Sequence, residues 1–91
     1  MPSDVRDNTA LSRFELDAGG VMVFMNYRLV DGVITLDHTE TPPQARGRGL
    51  ASQLTAAVLE IARARGLKVV ALCPFVQAYL AKHPESRDLL T

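Results

Sequence analysis

From residue 48 to residue 65 the chain carries one sustained helical period, and what brackets it leaves few arrangements open. Leu50, Leu54, Val58 and Ile61 recur at helical spacing with Ala51, Ala57 and Ala62 beside them, while Gln53, Glu60 and Arg63 fall off the stripe. This is an amphipathic helix of about five turns, ended by Gly66. Before it, residues 33 to about 41 read as a strand halted by Pro42-Pro43, which cannot donate to a sheet ladder. After it, residues 67–73 are a second β-rich run. A strand reached through a helix is normally parallel to the one before it, so residues 33–73 are expected to form a right-handed βαβ crossover.

The remaining elements are arranged around that crossover. Residues 13–18 alternate, with Phe14 and Leu16 on one side, before Gly19-Gly20 supplies a turn. Residues 21–30 place Val21, Val23, Met25, Tyr27 and Leu29 on one face, with Met22 and Phe24 beginning the other, which predicts a strand buried on both sides at its start. Asp31-Gly32 tolerates the positive φ of a type I′ turn, so the third strand should run antiparallel to the second. Pro74 opens a short helix with Phe75, Val76, Tyr79 and Leu80 on one face, fading before His83-Pro84. The tail 85–91 adds one more turn. The expected fold class is α+β, an α/β sandwich: a mixed sheet of about four strands, a long helix after the third, a short helix after the fourth, and helices on at least one face. Residues 1–12 are expected to be a flexible N-terminal segment, and residues 13–91 a single domain.

Composition excludes several function classes. Ninety-one residues suffice for one core and one site, not for two lobes. A hydrophobic fraction of 47% with 22% charged residues lies away from the disordered regime. Ten basic against ten acidic side chains give no global field to hold a polyanion, which disfavours nucleic acid. Cys73 is the only cysteine, so neither an intramolecular disulfide nor a multi-cysteine zinc site can form. The two histidines lie too far apart in sequence to form a recognised ligand pair, so no metal is expected. The polar N-terminus lacks the apolar core of a signal peptide, and no stretch approaches the roughly 18 apolar residues of a membrane span. A cytoplasmic protein with no membrane partner, monomeric or weakly dimeric, is expected.

Chemistry is concentrated between the third strand and the long helix. Gly47 and Gly49 sit where the first helical turn leaves backbone N–H groups without partners and the helix dipole is positive, so an anionic diphosphate fits there. Arg46 and Arg48 add local positive charge. Taken alone, a G-x-G is more often a plain turn with solvated arginines.

The context of the loop is more specific. Gln44-Ala45-Arg46-Gly47-Arg48-Gly49 resembles the pyrophosphate loop of the GNAT acetyltransferase superfamily, and matches each of its specified positions. Arg13-Phe14-Glu15-Leu16, His38-Thr39-Glu40, Gly47-Arg48-Gly49-Leu50-Ala51, Cys73-Pro74-Phe75 and His83-Pro84-Glu85 make the chain similar to the small Yjdj-type branch over most of its length from Arg13 onward. That branch commonly has a proline shortly before the cysteine, where this sequence has Val70-Ala71-Leu72. The resemblance implies an N-acetyltransferase moving an acetyl group from acetyl-CoA to a primary amine, directly or through Cys73. A non-catalytic CoA or acyl-CoA sensor or subunit is the alternative, and a structural domain that binds nothing is a third. The cofactor contacts it implies come from Thr39, Gln44, Ala45, Arg46, Gly47, Arg48, Gly49, Leu50, Ala51, Cys73, Phe75 and His83. The pantetheine arm would lie between the strand ending near Thr41 and the strand ending at Cys73, with backbone amides of residues 38–40 facing the thioester carbonyl.

Four side chains are candidates for the chemistry. Cys73, at a strand end and before a helix, is a nucleophile, a pocket wall or an inert buried thiol. His38 and Glu40, expected to share a strand face with Ile34 and Leu36, are candidate bases for the incoming ammonium, His38 first because its ordinary pKa lies near neutrality. The plainer readings are a structural histidine and a solvated strand end. Tyr79 is a candidate proton donor to the departing thiolate, or packs on Phe75 one turn earlier. His83 caps its helix or touches the nucleotide end of the cofactor.

Overall fold

The computed structural model describes residues 5–90. Five strands form one sheet in sequence order: β1 (Val5–Asn8), β2 (Arg13–Asp17), β3 (Met22–Val30), β4 (Val33–Glu40) and β5 (Lys68–Ala71). Neighbours are antiparallel from β1 to β4, and β4 and β5 are parallel. Asp31 and Gly32 have φ of 52° and 79°, the left-handed values a type I′ hairpin requires, and join β3 to β4. The parallel pair is connected through α1 (Leu50–Ala64), the predicted crossover helix, and β5 leads into α2 (Pro74–Lys82).

Both helices lie on one face of the sheet. Leu54, Val58 and Ala62 of α1 and Val76 and Leu80 of α2 join a single core with Phe14, Leu16, Val23, Met25, Ile34, Leu36 and Val69. Thr55 and Leu59 complete the buried stripe of α1, while Ile61 is only half-buried. Thr55 satisfies its hydroxyl by donating to the Ala51 carbonyl at 2.8 Å. The opposite face of the sheet carries no layer among the described residues. Met22 and Phe24 are therefore half-buried, so β3 is not enclosed on both sides at its start. Arg13 covers Phe24 instead, its guanidinium 4.3 Å from the ring centroid.

The sheet has one strand more than the sequence pattern suggests. Residues 5–8, assigned to the N-terminal segment, form β1; residues 1–4 lie outside the described residues. Polar side chains hold this strand. Arg6 and Arg13 each donate to Glu15 at 2.7 Å and Asn8 donates at 2.9 Å, so the buried carboxylate is fully engaged. Those donors, led by Arg6, lower the Glu15 pKa to about 2. Asp7 accepts from the Tyr27 hydroxyl at 2.6 Å and from Arg65, just after α1, at 3.0 Å. Burial first and the Asp7 bond second raise the Tyr27 pKa to about 12. The expected extra turn in the tail is a 3₁₀ turn, Pro84–Leu89, and Leu90 then bridges Val69 in parallel at the outer edge of β5.

Candidate functional site

The decisive feature of β4 is an extra residue. Tyr27 pairs with Leu36 and Asn26 with His38, so Asp37 has no partner of its own and the strand bulges there. A bulge shifts the alternation by one. Thr39, opposite core-facing Met25, consequently turns toward the helices, while His38 and Glu40, opposite Asn26 and Phe24, turn to the helix-free face. The expectation that His38 and Glu40 share a face with Ile34 and Leu36 is thereby corrected. Both side chains are more than half exposed, and His38 Nε2 lies 2.9 Å from Glu40 Oε1.

The bulge also marks where β4 and β5 part. The peptide nitrogens of Leu72 and Cys73 both donate to the Leu36 carbonyl at 3.0 Å, and the ladder ends with that pair of bonds. Beyond it the peptide groups of Thr39 face the widening gap. Tyr27 N–H donates to Ser12 on the β2 side of β3, and Met25, two residues earlier, has the same orientation. Met25–Thr39 is thus a non-hydrogen-bonded pair, which turns the Thr39 N–H and C=O away from β3. Across the gap, Thr39 Oγ1 meets Cys73 Sγ at 3.3 Å. Cys73 is 3% exposed and immediately precedes α2.

The glycine loop closes the other end of this cleft. After the short 3₁₀ turn Pro43–Ala45, Gly47 and Gly49 adopt φ of 81° and 73°, which only glycine takes without strain. Among the described residues, the N–H groups of residues 47–52 find no hydrogen-bond acceptor. They form a cluster of donors at the start of α1, with nothing within 4 Å of where a Cβ would sit on either glycine. A cavity of about 240 Å³ joins loop and gap, bounded by Thr39 and Thr41, by Ala45, Arg46, Gly47 and Gly49, by Leu50, Ala51 and Ser52, and by Phe75. Thr41 and Ser52 are additions to the expected set. Their signal is positional: one is the last residue before Pro42, the other lies in the first helical turn.

The structure separates the expected site residues into groups. Thr39, Ala45, Arg46, Gly47, Gly49, Leu50, Ala51 and Phe75 border the cavity, with Cys73 directly beneath Thr39. Gln44 and Arg48 are exposed in the loop. His83 does not border the cavity: its ring stacks on Tyr79 at 4.1 Å between centroids, and Nδ1 lies 3.3 Å from Glu85. The aromatic partner of Tyr79 is thus His83, while Phe75 turns to the cleft. Burial raises the Tyr79 pKa above the ordinary phenol value. A larger concavity of about 350 Å³ lies beside β5, α2 and the tail. It has neither the glycine loop nor the free N–H groups, and its Gln77 amide is already spent on the Ala71 carbonyl at 2.8 Å.

Among the described residues no group of three or more His, Cys, Asp or Glu is placed to hold a metal, and no helix is long and apolar enough to cross a membrane.

Comparison with known proteins agrees with the fold. The solution NMR structure of a GCN5-like protein from Staphylococcus aureus superposes with a TM-score of 0.72 at 29% identity, covering 99% of this chain and 91% of that one. Protein NATD1 from chicken and from mouse is 36% identical over 52 residues, which is 57% of this chain and 47% of each relative. Human NATD1 matches equally over 46% of its length, so the match spans about half of these relatives. The family model of GCN5-related N-acetyltransferases matches residues 13–89, and the chain belongs to that family.

Proposed function

We propose that this domain binds acetyl-CoA in the cleft between β4 and β5 and transfers its acetyl group to a primary amine. The observation that carries the reading is the cluster of unpartnered N–H groups at residues 47–52, opening directly into the gap beside Thr39. The residues suit the cofactor in kind. Donors at a helix start, with Arg46 and Arg48 beside them, match a diphosphate. The narrow gap lined by Thr39, Phe75 and Ala45 matches a thin, mixed-polarity arm. Bound there, the cofactor supplies an acetyl thioester.

The chain's own groups divide the remaining work. Thr39 N–H faces the gap and donates to the carbonyl oxygen as negative charge grows on it. His38, on the helix-free face, takes the proton of the attacking amine, and Glu40 at 2.9 Å holds its ring in place. In turnover the new N–C bond would replace the C–S bond, and the departing thiolate would take a proton from water. Cys73, covered and in contact with Thr39, forms the wall of the pocket in this reading, and attack is direct. A second reading, a CoA-binding module without turnover, is favoured by the open outer face, where no element among the described residues encloses an acceptor.

Calorimetric titration with CoA and acetyl-CoA, using Gly47→Glu as control, tests the binding step. Wild-type affinity abolished by the glutamate is expected, and no wild-type binding rejects both readings. Release of free thiol from acetyl-CoA in the presence of amines then separates enzyme from module.

A further inference from the structure

The bulge at Asp37 sets which face each residue of the 38–40 segment occupies, and the structure shows what holds it in place. Arg28, on β3, reaches Asp37 with two parallel bonds, Nε to Oδ2 at 2.9 Å and Nη2 to Oδ1 at 2.8 Å. Arg28 is paired in the ladder with Thr35, and Asp37 lies two residues further along β4 on the same helix-free face. Among the described residues its carboxylate accepts from Arg28 alone. The two-pronged geometry matters because a guanidinium fork fixes a carboxylate in orientation as well as position.

We propose that Arg28 is a positioning residue for the cleft: its paired bonds to Asp37 lock the bulge at that residue, so that Thr39 faces Cys73 and the gap while His38 and Glu40 face outward. The consequence for acetyl transfer rests on the function proposed above; the consequence for the strand does not. In a regular ladder the alternation of β4 would send Thr39 outward and bring His38 and Glu40 inward. Two ionisable groups oppose that burial, so a released bulge frays the 38–40 segment rather than exchanging one ordered register for another. The Arg28 side chain is 65% exposed and that of Asp37 28%, so the pair contributes little to global stability. Its effect is confined to the register of a single strand end.

The test is nuclear magnetic resonance on the whole domain as wild type, Arg28→Ala and Asp37→Ala. A non-hydrogen-bonded antiparallel pair brings its Hα atoms together, so the wild type should show a strong Met25 Hα to Thr39 Hα cross-peak. Both variants should lose it and broaden the amides of residues 37–40, with unfolding midpoints close to wild type. Raising the salt concentration should move the Thr39 amide of the wild type toward its position in Arg28→Ala and leave the variant unchanged. In parallel, acetyl-CoA affinity should fall about 2- to 5-fold in both variants, the range of a lost surface ion pair. A retained cross-peak and an unmoved Thr39 amide in both variants would overturn the proposal. If the wild type binds no acetyl-CoA but the cross-peak still depends on Arg28, the cofactor reading fails and the lock stands.

Discussion

Thr39 Oγ1 lies 3.3 Å from Cys73 Sγ across the point where parallel strands β4 and β5 part, and this contact joins the two halves of the cleft. The contact exists because Asp37 is an extra residue. Without it Thr39 would face away from the helices. The cleft is thus bounded on the helix side by a covered thiol and a glycine loop, and on the other by an exposed His–Glu pair.

Cys73 should prove dispensable for chemistry. Cys73→Ala is expected to keep turnover within about tenfold of wild type while losing about 1–2 kcal/mol of stability from the emptied space, by analogy with small core truncations. Intact-mass analysis of the wild type mixed with acetyl-CoA alone should show no protein-bound acetyl group. A stoichiometric acetyl adduct at Cys73 would reverse the assignment.

His38→Gln should lower kcat about 10²- to 10⁴-fold, the usual contribution of a general base. Because His38 faces away from the loop and is not part of the cavity lining, acetyl-CoA affinity should be unchanged. Steady-state kinetics alongside calorimetry checks both halves. Unaltered kcat would remove His38 from the mechanism.

Gly47→Ala separates backbone conformation from steric access. Its Cβ would meet no atom within 4 Å, so the cost is that of a left-handed φ of 81°, about 1–2 kcal/mol. Denaturant unfolding should show that loss, and calorimetry a weakened cofactor affinity as the loop relaxes.

Acid should unfold the domain partly through Glu15. Its pKa is lowered to about 2, so the stability it contributes is full above the ordinary carboxylate range near 4 and is lost as pH falls toward 2. Asp37 and Asp88, lowered by Arg28 and Arg63, act in the same direction. Urea midpoints measured from pH 6 to pH 2 should fall less steeply in Glu15→Gln than in wild type. Equal slopes would show that the Glu15 cluster does not act in this range.

At the opposite end of the pH scale, Tyr27, raised to about 12, contributes stability that is complete below its ordinary value near 10 and lost as pH rises through 12. Tyr27→Phe removes a 2.6 Å bond to a carboxylate and should cost about 1.5–3 kcal/mol at neutral pH. It should also loosen β1, visible as faster amide exchange at residues 5–8. Unchanged exchange there would mean that Glu15 and the ladder suffice to hold the strand.

Much of this was legible in the sequence because it depends on neighbours in the chain. The periodicity of α1, the positive-φ hairpin at Asp31-Gly32, the stop at Pro42-Pro43 and the glycine loop are local signals, and each element formed where its pattern indicated. β1 was not legible. Val5-Arg6-Asp7-Asn8 has no apolar alternation and is held by Glu15, Tyr27 and Arg65, residues 7 to 58 positions away.

The facing of His38, Thr39 and Glu40 shows the same division most clearly. The sequence by itself determined that these three residues end a strand beside a glycine loop at the head of a helix, which was enough to mark the loop as a candidate anion-binding site. Only the tertiary structure decided which of them enters the cleft. A period-two pattern assumes one partner per residue, and the extra residue opposite Asn26 becomes visible only when β3 is laid beside β4.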